Sequence, residues 1–210
     1  MLAPRMRIMC SLGTGSVRRK SFKTLALTTG LSNTWTSKIL KEMIKEGLVA
    51  HEGRFYTLTH EGEKTFNETA NYAYPIFLLE KVSLFAEAVA RDPDVQGMIL
   101  FGSLPRGEAK ARSDADLFVV VKDGRYRAKL EEKIRESGRD FEVFGELLVV
   151  ERSSLIKQLE RNAPLLLGIL RGYKILFDSE RKLADAIGGM EKRALGDYEY
   201  VEEGRVWVKR

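Results

Sequence analysis

Hydrophobic positions recur at helical spacing through the first part of the chain and give way to strand-like runs further on. In Ser21–Ser32, Phe22, Leu25, Ala26 and Leu31 follow a helical rhythm that Gly30 breaks. Ser32 or Asn33 can cap a second helix running to about Glu46, where Gly47 ends it. Trp35, Ile39, Leu40, Met43 and Ile44 then form its expected buried stripe. Leu48–His51 and Arg54–Thr59 are short strand-like runs around Glu52-Gly53, which predicts a hairpin, and His60–Phe66 opens another helix. Asn67–Pro75 shows no clean period and reads as a linker or part of a joining helix; Ile76–Ala90 is helical again until Asp92-Pro93. Beyond it the pattern predicts strands at Val95–Phe101, Asp114–Val121 and Asp140–Val150. Helices are expected at Arg125–Ser137, Ser153–Asn162 and Pro164–Arg171, and Tyr173–Phe177 is a short apolar segment. Tyr198–Lys209 alternates around Glu203-Gly204 and reads as a terminal hairpin.

Charge changes this picture only when it is divided along the chain. The net charge of +5 comes from 35 Lys+Arg against 30 Asp+Glu. Residues 1–66 hold 11 of the basic and 5 of the acidic residues, so the remainder holds 24 and 25. The whole excess sits in the first third, which points to a polyanionic partner there. The single cysteine, Cys10, excludes a disulfide scaffold and a multi-cysteine zinc site, and two histidines are too few for a His-rich site. No apolar run reaches the ~18–20 residues of a membrane span. The start of the chain lacks a signal-peptide pattern, so no membrane partner and a cytoplasmic location are expected.

Helices joined by a Gly-containing turn and followed by a hairpin resemble the winged helix-turn-helix domain of transcription regulators. The stretch EMIKEGLVAHEGRFYTLTHEGEKTF carries most of the likeness. That resemblance implies DNA as the partner of residues 1–66, with Asn33, Thr34, Ser37, Lys38 and Lys41 on the outer face of the second helix and Arg54 at the hairpin tip. The alternative for these lysines is a solvated face, and such domains also dock proteins. Dimers are common among such regulators, so a homodimer is an expectation of the same likeness.

The most informative stretch is FGSLPRGEAKARSDADLFVVV, Phe101–Val121. An apolar strand runs directly into Gly102-Ser103, and a second strand carries Asp114 and Asp116 ahead of Leu117–Val121. Residues two apart on a strand share a face, so the two carboxylates emerge together. Like charges that close resist ionisation unless a cation sits between them, and Mg²⁺ shared with substrate phosphates meets that need. Gly102 lets backbone amides approach a phosphate, Ser103 adds a hydroxyl, and Arg106 offers a forked guanidinium. Lys110 and Arg112 could add attraction for a triphosphate or simply be solvated.

Gly-Ser, ten residues, then Asp-x-Asp, with Arg106-Gly107 and Ser113 between, resembles the minimal nucleotidyltransferases of the DNA polymerase β superfamily over about Val95–Ser179. The resemblance implies transfer of a nucleoside monophosphate from ATP or another nucleoside triphosphate to an acceptor that the sequence leaves open. It implies a two-metal Mg²⁺ site with three carboxylates. Asp114 and Asp116 take the metal-ligand positions, and Gly102, Ser103 and Arg106 the triphosphate. The third acid is expected on the next strand, where Glu142 fits best and Asp140 and Glu146 are alternatives. The expected class is α+β: a winged helix-turn-helix domain at 1–66, a connecting helical region at 67–92, a nucleotidyltransferase-fold domain of mixed sheet and flanking helices at 93–187, and a tail at 188–210. The other reading is a DNA-binding regulator whose second domain only senses nucleotide.

Overall fold

The computed structural model describes residues 2–14, 18–111, 113–122, 127–143, 145–160, 164–201, 203–204 and 206–210. Helix α1 (Pro4–Gly13), for which the pattern gave no expectation, starts with Pro in its first turn and buries Ile8, Met9, Cys10 and Leu12. The two-residue strand β1 (Lys20–Ser21) leads into α2 (Phe22–Thr29), where Ser21 accepts a hydrogen bond from the Thr24 amide at 3.2 Å. Gly30, at φ 65°, ends α2. Helix α3 (Asn33–Lys45) is capped in the same way by Ser32.

The buried stripe of α3 is Thr36, Ile39, Leu40 and Met43. Trp35 and Ile44, expected in that stripe, are 54% and 38% exposed. Each lies one position off the i, i+3, i+4, i+7 set that faces the core. Strands β2 (Val49–Glu52) and β3 (Phe55–Leu58) form the expected hairpin, turning at Gly53 with φ 60°. Strand β1 adds to β3 antiparallel, giving the order β1-β3-β2.

Helix α4 (His60–Val89) is a single element of 30 residues, about 45 Å long at 1.5 Å per residue. Thr59 caps it, Glu61 and Glu63 complement its positive end, and Pro75 lies inside it. The stretch Asn67–Pro75 is therefore helical throughout. Phe66, Ala70, Ala73, Tyr74, Phe77, Leu78, Val82, Phe85 and Val89 recur every three or four residues as its buried face.

A four-stranded mixed sheet follows, built from β4 (Val95–Phe101), β5 (Asp116–Val121), β6 (Leu147–Glu151) and β7 (Lys174–Asp178) in the order β6-β5-β4-β7. Strand β4 is antiparallel to β5 and β7, and β5 is parallel to β6. Between these lie α5 (Arg127–Asp140), α6 (Arg152–Glu160) and α7 (Pro164–Leu170). Helix α8 (Lys182–Asp197) and the hairpin β8 (Tyr198–Val201) with β9 (Val206–Lys209) complete the chain. The expected strand Asp140–Val150 is corrected: Asp140 ends α5, and pairing with β5 begins only at Leu147. Residues 125–126 and 161–162 of the expected helices lie outside the described residues.

Strand alternation divides the core between two layers. Met98, Leu100, Leu117, Val119 and Val121 face α4 and share one buried cluster with Ile8, Leu12, Leu25, Leu40 and Met43. Ile99, Phe101, Phe118 and Val120 face the other way, onto Leu155, Leu183, Ile187 and Met190. The N-terminal helices and the near face of the sheet thus have a continuous interior, with α4 between them.

Candidate active site

Strand β4 delivers its chain into a tight turn at Gly102, with φ 80°. Only glycine adopts that conformation without cost, and a second constraint acts at the same atom. A Cβ on Gly102 would lie 2.1 Å from Oδ2 of Asp116. Asp116, opposite Phe101 in the β4–β5 register, therefore has its carboxylate closed against the glycine backbone. Its other oxygen, Oδ1, accepts from the Glu146 amide at 3.3 Å, and the Leu117 amide donates to the Glu146 carbonyl at 2.8 Å. Gly145 is packed as tightly: a Cβ there would lie 2.0 Å from the Ala115 carbonyl oxygen. Two glycines thus hold the segment before β6 and the β4 turn against Asp116 and the residue before it.

Asp114 is exposed beside this arrangement, and its carboxyl is raised above the usual range by partial burial and then by the Asp116 charge. That second cause places the two acids within electrostatic reach of each other, although β5 begins only at Asp116 and Asp114, expected on the strand, lies in the segment before it. Helix α4 borders the same region. Asn71 Oδ1 accepts from the Ala111 amide at 3.3 Å, and the phenol of Tyr74 is pushed up to about 12 by burial and by Asp114. Tyr74 and Phe77 are buried, with ring centroids 6.5 Å apart, whereas Tyr72 is exposed.

Ser103 is half-buried, and its carbonyl accepts from the Glu108 amide at 3.0 Å. Arg106 bonds Glu108 through Nε at 2.9 Å, and its stem runs where a Cβ on Gly172 would be, 2.4 Å from Cγ. Ser113 and Lys110 close a reciprocal turn ahead of Asp114. Arg112 lies outside the described residues.

Glu142 does not join the acids. It stands in the turn after α5, its carboxylate bonded to Lys20 and its carbonyl accepting from Lys81 Nζ at 2.8 Å. Its expected position on the third strand is corrected, because the strand begins five residues later. Among the described residues, no three His, Cys, Asp or Glu side chains converge to hold a metal ion. The hard-oxygen pair Asp114 and Asp116 still suits Mg²⁺ of the kind that one or two carboxylates share with substrate phosphates.

On the N-terminal elements, Asn33, Thr34, Lys38, Lys41 and Arg54 are exposed and Ser37 is half-buried. Lys38 Nζ lies 5.3 Å from the centre of the Trp35 ring, and the guanidinium groups of Arg19 and Arg54 lie 4.4 and 4.9 Å from that of Phe55.

A family model described as "Nucleotidyltransferase domain" matches residues 82–170, from the last turns of α4 to the end of α7. Residues 82–170 are similar to a nucleotidyltransferase domain. The chain is 34% identical over 93 residues to a Methanocaldococcus jannaschii protein named "Putative protein adenylyltransferase", a match covering 41% of this chain and 61% of the relative. The chain thus spans about three-fifths of that curated relative's length. A solved structure described as "Crystal structure of the toxin-antitoxin with AMP-PNP" shares 18% identity and covers 54% of this chain and 87% of its own. Its TM-score is 0.36. The domain and the relative support a transferase, and the mixed α and β architecture is nucleotidyltransferase-like. Among the described residues, no helix is long and apolar enough to cross a membrane.

Sequence reasoning named Glu146 as an alternative third acid but not as the residue whose backbone holds Asp116, and it missed Gly145 and Gly172 as packing glycines. Each sits in a loop, where apolar periodicity carries no signal. A Gly-Glu pair directly before an apolar strand was the available cue for Glu146.

Proposed function

We propose that the nucleotidyltransferase domain moves a nucleoside monophosphate from a nucleoside triphosphate, ATP first among candidates, onto a protein hydroxyl. The closure of Gly102 against Asp116, with Asp114 beside it, is the observation that carries this reading. The named activity of the Methanocaldococcus relative motivates the protein acceptor. In the reaction, the acceptor oxygen forms a bond to the α-phosphorus, the α–β bridging bond breaks, and pyrophosphate leaves with that electron pair. The acceptor proton passes to solvent or a nearby base. Asp114 and Asp116 would hold Mg²⁺, which when bound lowers the acceptor's pKa and stabilises charge on the leaving group. Gly102 leaves room for the phosphates, Ser103 offers a hydroxyl donor, and Arg106 lies on the same turn with a cation for them. Glu146, whose amide already holds Asp116, is the acid next to the pair.

The N-terminal unit is proposed as a winged helix-turn-helix that binds duplex DNA through Asn33, Thr34, Ser37, Lys38, Lys41 and Arg54. The order of α1 to α3 with the β1-β3-β2 sheet, and the basic excess of the first 66 residues, support it.

The test is incubation with Mg²⁺ and ATP labelled at the α-phosphate, reading pyrophosphate release and label transferred to protein. Both should vanish in Asp114→Asn/Asp116→Asn; undiminished transfer in that variant refutes the assignment. Nucleotide binding by the wild type with no pyrophosphate released on any protein acceptor would favour a nucleotide sensor.

A further inference from the structure

Two buried lysines meet a half-buried glutamate where the N-terminal unit meets the catalytic sheet. Lys20 of β1 and Lys81 of α4 are 3% and 2% exposed. Lys20 bonds the Glu142 carboxylate, and Lys81 Nζ bonds the Glu142 carbonyl at 2.8 Å. One carboxylate oxygen and the carbonyl of Glu142 are thus each held by a cation from another part of the fold.

Its backbone conformation makes the arrangement more telling. The Val143 amide donates to the Gly138 carbonyl at 2.9 Å, and the Glu142 amide to the Arg139 carbonyl at 3.0 Å. This pair of bonds is the Schellman ending of α5, whose left-handed position belongs by preference to glycine. Glu142 occupies it at φ 52°. A side chain there is disfavoured unless surrounding contacts hold it, and the two lysines are those contacts.

Three positions further on, Gly145 gives way to Glu146, whose amide holds Asp116 and whose carbonyl receives the Leu117 amide. Lys20 of β1 thus holds one end of the α5–β6 turn at Glu142, and Glu146, four positions on, holds the carboxylate of Asp116. Strand β1 itself belongs to the sheet of the N-terminal unit, with Lys20 opposite Tyr56 and Ser21 capping α2.

We propose that Lys20 is a positioning residue for nucleotidyl transfer. Through Glu142 it fixes the turn that sets Glu146 against Asp116, so the N-terminal unit supplies part of the active site's frame. The inference rests on the reading of Asp114 and Asp116 as metal ligands. It differs from a merely structural role, which would lower stability and leave the acids' affinity for a cation unchanged.

The experiment measures Mn²⁺ binding to the full chain by electron paramagnetic resonance, with a non-hydrolysable ATP analogue present and no turnover. Lys20→Met is expected to weaken Mn²⁺ about tenfold, in the range found for outer partners of metal ligands. Lys20→Arg should recover most of that loss. Lys20→Met is expected to fold, since Lys81 remains beside the Glu142 charge. Glu142→Gly is the second variant: it suits the left-handed position, keeps the helix ending and removes the carboxylate. It should weaken Mn²⁺ as Lys20→Met does, and the double variant should be no weaker than either single one. Wild-type affinity in folded Lys20→Met or in Glu142→Gly overturns the proposal alone. If wild-type binding is unchanged by Asp114→Asn/Asp116→Asn, the site reading fails and the proposal with it.

Discussion

Lys81 offers a test of how the interior handles charge. It is buried, and desolvation lowers its ammonium from 10.5 to about 8 despite the opposing pull of Glu142; Lys20 nearby lowers it further. At about 1.4 kcal/mol per tenfold change in proton affinity, that fall corresponds to about 3 kcal/mol. At pH 7 the group is charged in both the folded and unfolded chain, so the whole penalty is present. Between pH 8 and 10.5 the folded chain gives up its proton while the unfolded chain keeps it. The unfolded state then binds more protons, and stability rises with pH. Lys81→Met removes both the penalty and the Lys81–Glu142 hydrogen bond. Bonds to charged groups contribute about 1.5–3 kcal/mol, so the variant should be as stable as the wild type at pH 7 or slightly more so. On moving to pH 9.5 the wild type should gain about 2 kcal/mol relative to the variant. Urea unfolding followed by circular dichroism at pH 7, 8, 9 and 9.5 measures this, and subtracting the variant cancels the other titrating groups. A difference constant within about 0.5 kcal/mol across that range would refute the desolvation argument.

Gly102→Ala must place a methyl group against Asp116 Oδ2 in a backbone conformation that alanine disfavours. Pyrophosphate release should fall at least about a hundredfold while the fold persists, and a near-wild-type rate would show that the contact is not needed. Gly172→Ala displaces the Arg106 stem, so KM for the triphosphate should rise about tenfold with a smaller change in kcat; the reverse split would detach Arg106 from binding. Trp35→Ala alters an exposed ring, so the unfolding free energy should change by less than about 0.5 kcal/mol, whereas affinity for duplex DNA should fall. Binding of the wild type to duplex DNA should weaken steeply with salt and drop in Lys38→Ala/Lys41→Ala; salt-insensitive binding, or none, removes DNA from the reading.

Local rules made much of the architecture legible. Ser32, Gly47 and Gly53 mark the ends of α3 and the turn of the β2–β3 hairpin, because caps and turns depend on residues close in sequence. The apolar strand Asp116–Val121 was readable from its run of hydrophobic residues, whereas Asp114, expected on it, precedes it. What escaped depends on contacts between distant segments. Phe141, Val143 and Leu147 around Glu142 imitate a strand's alternation, yet a helix ending lies there, with lysines from positions 20 and 81 holding a residue that sequence preference would make glycine. Trp35 was placed in the buried stripe by its spacing, yet it lies one position off the stripe that the core covers and is exposed. Cys10, by contrast, behaves as its apolar neighbours suggest: it is buried, with its thiol pushed up to about 12 by burial.

The single span of α4 governs how the molecule can be divided. Gly13 of α1 lies against Phe66 so closely that a Cβ would come within 2.5 Å of its ring, while Phe85, five turns along, is buried against the catalytic half. Cutting the chain between positions 66 and 92 would leave either fragment with a stripe of bare hydrocarbon. A protease should find no interior linker to nick along α4, and the halves should melt in one cooperative transition. Exchanging the front half for another sequence would require rewriting one whole side of α4, so descent would have to alter both halves together.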